Sequence, residues 1–371
     1  MGILAIILVA GSFATCAVLT AVVRGLANRI GLVAHPVADR YHRAVIPLGG
    51  GIAIFTTLSI VIVAAVVIVK LLVAPGHLGR LVEWANVEPE HFLAKSDQLA
   101  IIWLCTLLLF LLGLWDDKKR LGPFFKLAVQ FAVAIVAAAF GQVRVELFIH
   151  NTAVTSALSA VWIVLIINAF NFLDNMDGAA AGIAIIAGSI LFTAAATSGQ
   201  VLVGSLALVF IGSLLGFLIF NFPPAKIFMG DAGSLVVGFF VALLTLRTTY
   251  YHQAHSGSWY PVLMPLVVMA VPLYDFASVT LLRISRGKSP FVGDTQHFSH
   301  RLRRRGLSDT QTALTLYLAT LCTGLGATFL YQVNRAGAIL IFAQTIMVLG
   351  IIAVLETGGK NDNSGNGLQS S

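Results

Sequence analysis

The segment VWIVLIINAFNFLDNMDGAAAG, residues 161–182, places a cluster of amide and carboxyl side chains between two apolar runs. The chain around it has 371 residues, of which 58% are hydrophobic and only 11% are charged, and its mean hydropathy is +0.91. Soluble domains are about 45–50% apolar and about 25% charged. Because apolar helices satisfy their own backbone inside lipid, the sequence predicts an all-α polytopic integral membrane protein.

A helix needs about 20 mostly apolar residues to cross a bilayer, and runs of that length predict about eleven transmembrane helices. They are predicted to form a single polytopic membrane domain, residues 1–355. The Gly-, Asn- and Ser-rich tail that follows, residues 356–371, is expected to be disordered and cytoplasmic. The predicted spans lie near residues 3–23, 48–72, 98–115, 124–141, 153–170, 178–197, 200–220, 233–247, 259–282, 311–331 and 337–355.

Basic residues beside the spans predict the orientation. With the N-terminus outside and the C-terminus in the cytoplasm, most of the 23 Lys and Arg residues fall in inner loops, as the positive-inside tendency requires. The net charge of +7 then reflects topology and contact with anionic lipid or phosphate rather than nucleic acid. In this orientation a set of acids collects at the cytoplasmic face: Asp116, Asp117, Asp174, Asp177, Asp231 and Asp294.

The segment LGLWDDKKRLGPFFK, residues 112–126, contains the adjacent acids Asp116 and Asp117. Two neighbouring carboxylates repel, so both stay ionised only beside a cation or in water. One interpretation is a loop whose acids are neutralised by the basic residues that follow. The other is a metal or proton-handling site, in which one acid orients a group while the other accepts a proton and Lys126 contacts a phosphate.

In the opening segment, Asn168, Asn171 and Asp174 recur at a spacing of three, and Asp177 follows three residues later. On a helix such residues share one face. A polar turn between two spans, helix caps included, is the alternative interpretation. Capping needs one or two such residues, so the larger number favours a functional site.

The segment NFPPAKIFMGDAGSLVVGF, residues 221–239, leads from a proline pair into the predicted eighth span. A Gly-Asp-Ala-Gly-Ser turn at a helix start offers free backbone N–H groups to an anion. Its carboxylate, Asp231, suits Mg²⁺, which binds few protein carboxylates together with waters and substrate phosphates. A simple helix cap at Asp231 or Ser234 is the alternative.

The last motif combines Asp275, an acid inside a predicted span, with a loop that contains His297, His300 and Arg301. An ionisable residue within a span is a functional candidate, although pairing with Arg283 is an equally good structural explanation. The histidines and the arginines that follow them suggest a clamp for a diphosphate.

An earlier segment, HPVADRYHRAVIPLGGGIAIF, residues 35–55, contains basic residues that are followed by three consecutive glycines. Arg40, His42 and Arg43 either line the same site from another side or only set topology. The sequence leaves both interpretations open.

In this order, the motifs resemble those of the polyprenyl-phosphate N-acetylhexosamine-1-phosphate transferase superfamily, and the resemblance covers residues 32–308. It implies transfer of sugar-1-phosphate from a UDP-N-acetylhexosamine to undecaprenyl or another polyprenyl phosphate. UDP-GlcNAc is the preferred candidate for the donor. The resemblance also implies that UMP is released, that Mg²⁺ or Mn²⁺ is required, and that the active site faces the cytoplasm at the bacterial inner membrane. The implied reaction is the first membrane step of a cell-envelope glycan.

The resemblance also implies roles for individual residues. Catalytic residues would be Asp116, Asp117, Asp231 and His297. The metal ligands would be Asp231 and Asn171, and the acceptor phosphate would meet Asp116, Asp117 and Lys126. The nucleotide-sugar would be bound by Asn168, Asp174, Asp177, Phe228 (by stacking on uracil), His297, His300 and Arg301.

The final loop reads HFSH, with Ser299 where the family usually has a histidine. The segments HFSHRL and LGGGIAIF resemble the branch of the superfamily that starts O-antigen, teichoic-acid or enterobacterial-type glycans. The nearest alternative is the phospho-N-acetylmuramoyl-pentapeptide transferase branch, whose three consecutive histidines are missing here. A secondary transporter is the alternative from another class. Transporters place ionisable residues near the bilayer midplane, whereas here only Asp275 lies inside a span. The oligomeric state, a homodimer included, is left open.

Overall fold

The computed structural model describes residues 2–34, 45–73, 89–145, 151–248, 259–289 and 297–357. Arg40, His42 and Arg43 of the early piece lie outside the described residues, and so do Asp294 and the tail from residue 358 onward.

The described chain is almost entirely helical, apart from two short strands, β1 (Val33–Ala34) and β2 (Ile46–Pro47), that pair antiparallel. Short π-helical and 3₁₀ segments, Val69–Val73 and Tyr260–Leu263, extend α2 and precede α10. The helices are α1 (Gly2–Ile30), α2 (Gly50–Ile68), α3 (Pro89–Ala94), α4 (Ser96–Lys118), α5 (Pro123–Ala139), α6 (Thr152–Leu173), α7 (Ala179–Thr197), α8 (Val201–Asn221), α9 (Asp231–Arg247), α10 (Met264–Val268), α11 (Ala270–Ser285), α12 (Phe298–Arg304), α13 (Asp309–Thr328) and α14 (Arg335–Thr357).

The prediction of an all-α polytopic membrane protein is confirmed. Among the described residues, seven helices are long and apolar enough to cross a membrane, or eight if one bent helix pair counts as a single span. Every predicted run overlaps a helix, but α5, α9 and α13 are not among those seven. The count of eleven spans and the orientation therefore stay predictions.

Helix α9 lies at the centre of the bundle. Its residues from Ala232 to Thr245 are all buried, and it packs against α2, α4, α6 and α7. At 17 residues it is about 25 Å long, and its neighbours shield it along its length. Its first residue, Asp231, is thereby held at a fixed place in the protein.

Two glycines let the neighbouring helices approach the start of α9. A Cβ atom on Gly51 of α2 would lie 2.2 Å from the backbone nitrogen of Gly233. One on Gly113 of α4 would lie 2.4 Å from the carbonyl oxygen of Asp231. Only glycine permits backbone contact this close, so α2 and α4 fix the first turn of α9.

The predicted ninth span, residues 259–282, is broken. The segments Tyr260–Val268 and Ala270–Ser285 meet at 64°, and Met269 between them has a non-helical ψ of 9°. Pro272 has no N–H to donate to the carbonyl of Val268, and its ring crowds that carbonyl. The bend therefore follows from the proline, and it starts a separate helix, α11, which carries Asp275.

Candidate active site

Asp117 caps the N-terminus of α9. Its two carboxylate oxygens accept hydrogen bonds from the backbone nitrogens of Asp231, at 2.8 Å, and Ala232, at 3.0 Å. The first N–H groups of a helix have no partner within the helix, and a carboxylate there is favoured by the helix dipole. Asp117, predicted to be near the acceptor phosphate, thus also attaches α4 to α9.

Lys126 lies between two of the predicted acids. Its ammonium nitrogen is 2.8 Å from Oδ2 of Asp116, and it also donates to Oδ2 of Asp231. The other oxygen of Asp116 accepts from the backbone nitrogen of Leu121 at 2.6 Å. Side chains of Lys126, Asp116 and Asp231 keep exposed fractions of 17%, 14% and 27%, so the cluster is sheltered but reachable.

Asn171 meets the same cluster from α6. Its amide donates to Oδ1 of Asp231 at 3.1 Å and to Oγ of Ser234 at 2.9 Å. Asn168, one turn earlier, donates instead to Gln130 of α5 at 2.7 Å. The structure therefore brings Asn171 to Asp231, as the sequence predicted, while Asn168 joins α6 to α5.

The turn after α6 holds the loop that precedes α9. Asp177 accepts from the backbone nitrogen of Ala225 at 2.8 Å, and the backbone nitrogen of Gly178 donates to Asn221 at 3.0 Å. Gly178 has a φ of +72°, which suits glycine. These hydrogen bonds thus join two predicted motifs, residues 168–182 and 221–239, into one wall of the candidate site.

Two other predicted donor-site residues lie at this wall. Asp174 follows directly after α6 and is half-buried. Phe228 is also half-buried, and its backbone nitrogen donates to the carbonyl of Pro47 at 2.9 Å. The segment before α9 is therefore tied to the start of α2.

His297 and Asp275 form a buried pair. Nδ1 of His297 lies 3.0 Å from Oδ2 of Asp275, which is 0% exposed. The imidazole meets the ring of Phe172 edge-on at 5.4 Å, and Arg283 lies over the same ring at 4.9 Å. The histidine predicted to be catalytic thus lies beside α6, and its imidazole directly contacts the Asp275 carboxylate.

Ser299 attaches α12 to the turn after α6. Its hydroxyl donates to Oδ1 of Asn175 at 2.7 Å, and the Asn175 amide donates to the carbonyl of Phe172 at 2.5 Å. Arg301 of α12 contacts Ser278 and Glu356. His300 lies within α12, but its side chain is outside the described part of the structure.

The donor atoms at Asp231 fit a hard divalent cation. Within the described ranges, no group of three or more His, Cys, Asp or Glu side chains is arranged as a metal cage. Mg²⁺ needs only one or two protein carboxylates, because waters and substrate phosphates complete its shell. Asp116 and Asp231 both direct an oxygen to the Lys126 ammonium, so the position between them already receives positive charge.

Sequence reasoning missed several residues that hold the site together. None lies in a charged cluster or at a conspicuous spacing in the sequence. The missed residues are Gln130, Asn221, Ser234 and Glu356. The sequence indicates only a helix cap for Ser234, and it places Glu356 in the predicted tail although α14 includes it.

A polytopic helical protein with such a cluster of acids, amide and lysine has the side chains to bind a phosphate group together with a cation. The chain is a member of glycosyl transferase family 4: the family's sequence model matches residues 99–249, and full-length relatives agree. Those residues run from the first turn of α4 to just beyond α9.

Among curated relatives, the chain is 31% identical over 350 residues to a probable undecaprenyl-phosphate N-acetylglucosaminyl 1-phosphate transferase of Bacillus subtilis, covering 92% of this chain and 89% of the relative. It is 30% identical to a decaprenyl-phosphate N-acetylglucosaminephosphotransferase of Mycobacterium leprae, covering 93% and 88%. The Escherichia coli K12 undecaprenyl-phosphate alpha-N-acetylglucosaminyl 1-phosphate transferase is 27% identical, with 80% and 76% covered. The predicted resemblance is confirmed, and the chain is a phosphoglycosyltransferase-family enzyme.

Proposed function

We propose that this protein transfers N-acetylglucosamine-1-phosphate from UDP-GlcNAc to undecaprenyl or another polyprenyl phosphate. The products are polyprenyl-diphospho-N-acetylglucosamine and UMP. The observation that carries the proposal is the meeting of Lys126, Asp116, Asp231 and Asn171 at the first turn of a buried helix. The relatives' names supply the sugar and the lipid.

Lys126 is the proposed contact for the acceptor phosphate. An acceptor oxygen attacks the phosphorus that carries the sugar, the bond from that phosphorus to the bridging oxygen breaks, and UMP leaves. Phosphoryl transfer depends mainly on positioning and charge neutralisation. Asp116 is favoured over Asp117 as the acid nearest the acceptor, because both oxygens of Asp117 already accept from the α9 backbone.

The donor is proposed to lie between α6, the turn before α9 and α12. Asp231 and Asn171 would hold Mg²⁺ or Mn²⁺, which when bound neutralises charge on the donor diphosphate. Phe228 would stack on uracil, and Asn168, Asp174 and Asp177 would shape the pocket. His297, His300 and Arg301 keep their predicted role beside the diphosphate.

The proposed location is the cytoplasmic face of a bacterial inner membrane. The acceptor's apolar tail must stay in lipid while its phosphate meets a water-soluble nucleotide-sugar. A site at the membrane surface satisfies both conditions. Support comes from the basic residues that the sequence places beside the same ends of the spans.

A donor panel tests the function. Purified protein in detergent with undecaprenyl phosphate and Mg²⁺ is expected to release UMP from UDP-GlcNAc, and EDTA is expected to stop the release. Release only from the muramoyl-pentapeptide nucleotide would overturn the donor assignment. Release of UMP from no donor would overturn the transferase proposal itself.

A further inference from the structure

The last turn of α14 contains a buried acid in a helix of which only a small part is buried. Val354 and Leu355 are 67% and 49% exposed, whereas the next residue, Glu356, is only 9% exposed. A carboxylate near the C-terminus of a helix is disfavoured by the helix dipole, and its burial is unfavourable unless it is paired. Local helix stability therefore does not explain Glu356, and its partners in the tertiary structure must.

Those partners lie on α12 and α11. Nη2 of Arg301 is 2.9 Å from Oε2 of Glu356, and both side chains are largely buried. The hydroxyl of Tyr274 donates to the same oxygen at 3.3 Å. Arg305, just after α12, donates to the backbone carbonyl of Glu356 at 2.8 Å. One turn of α14 thus meets both α11 and α12.

Helix α12 needs such anchoring because it has only seven residues. Helices this short are not stable on their own in water. Its N-terminal end is held by His297 on Asp275 and by Ser299 on Asn175. Arg301, which also donates to Ser278 at 3.0 Å, is held by Glu356 at the other end.

We propose that Glu356 is a positioning residue for the donor half of the active site. It fixes Arg301 and thereby the angle at which α12 presents His297 to the nucleotide-sugar. This inference rests on the proposed function, but its physical content is that α14, far from the region matched by the family model, controls the placement of α12. Glu356 touches no substrate.

Kinetics with three variants test the role. Glu356→Gln removes the charge at nearly constant shape, and the KM for UDP-GlcNAc is expected to rise about tenfold while the KM for polyprenyl phosphate stays within about twofold. Glu356→Asp keeps the charge and is expected to recover most of the donor affinity. Asp309→Asn is the matched control. Asp309 lies on α13 and is the half-exposed partner of Arg303, which lies on α12 like Arg301. Loss of this pair is expected to change neither KM.

Amide hydrogen exchange of residues 298–305 measures the anchoring without any turnover. Faster exchange in Glu356→Gln, but not in Asp309→Asn, supports the proposal. Unchanged exchange, or equal increases in both KM values, overturns it. If the wild-type protein does not use UDP-GlcNAc, the proposed function fails, while the exchange result still decides whether Glu356 anchors α12.

Discussion

The two halves of the candidate site are built in different ways. The half around Lys126, Asp116 and Asp231 lies at the start of α9, a helix buried from its second residue to Thr245. The half around His297 lies at α12, a seven-residue helix held by single polar contacts to the turn after α6, to α11, to α13 and to α14, and by the buried side chain of Leu302. The first half is fixed by backbone packing and the second by side-chain contacts.

This difference predicts how each half responds to mutation. Backbone packing at α9 tolerates little change, so a substitution there should affect either chemistry or folding strongly. The buried side-chain contacts of α12 can be removed one at a time, and each loss should shift donor affinity by a modest factor, whereas loss of the half-exposed Arg303–Asp309 pair should not. The two kinds of response would distinguish a preformed site, proposed for the metal and the acceptor, from an adjustable site, proposed for the donor.

Asp231→Asn should have the largest effect. The carboxylate accepts from Lys126 and Asn171 and is the proposed metal ligand, so turnover should fall by at least about 100-fold. UMP release across a Mg²⁺ titration measures it. Wild-type turnover at ordinary Mg²⁺ concentrations would contradict the metal assignment.

Gly230→Ala should destabilise the start of α9. Gly230 has a φ of +71°, and an added Cβ would lie 2.7 Å from Oδ2 of Asp117. Left-handed strain and a disturbed cap together should lower stability by about 2–3 kcal/mol, measured as the thermal midpoint in detergent. Gly122→Ala, where nothing lies within 4 Å of the new Cβ, is the control, and equal losses at both positions would refute the cap.

Asp275→Asn should act on the donor half through His297. Asparagine is nearly isosteric with aspartate, but its amide offers one acceptor oxygen instead of two, so it holds His297 less firmly. We expect kcat/KM for the donor to fall about tenfold, with an unchanged KM for the acceptor. A donor kcat/KM equal to that of the wild-type protein would show that Asp275 only fills space.

The sequence predicted the helical membrane class, because apolar length is a local signal. The meeting of Asp231 with Asn171 was implied by the family resemblance rather than by the spacing of the residues. It did not predict the break at Met269, although Pro272 could have indicated it. The sequence also did not predict the contacts of Gln130, Asn221 and Glu356. Each is a single polar residue whose partner lies on another helix or loop, and such pairing is decided by how the helices pack rather than by spacing along the chain.

Ser299 gives the smallest expected effect and the sharpest test of the donor half. Ser299→Ala removes one hydrogen bond to Asn175, worth about 1 kcal/mol, so donor KM should rise about fivefold at most. Ser299→Thr retains the hydroxyl and serves as the matched control. Ser299→His introduces the histidine that the family resemblance led us to expect, but position 299 is only 3% exposed, so the larger ring must displace α12 from the turn after α6. That variant should therefore change the ratio of UDP-GlcNAc to UDP-GalNAc use. An unchanged ratio would mean that α12 contributes to donor affinity without contributing to the choice of sugar.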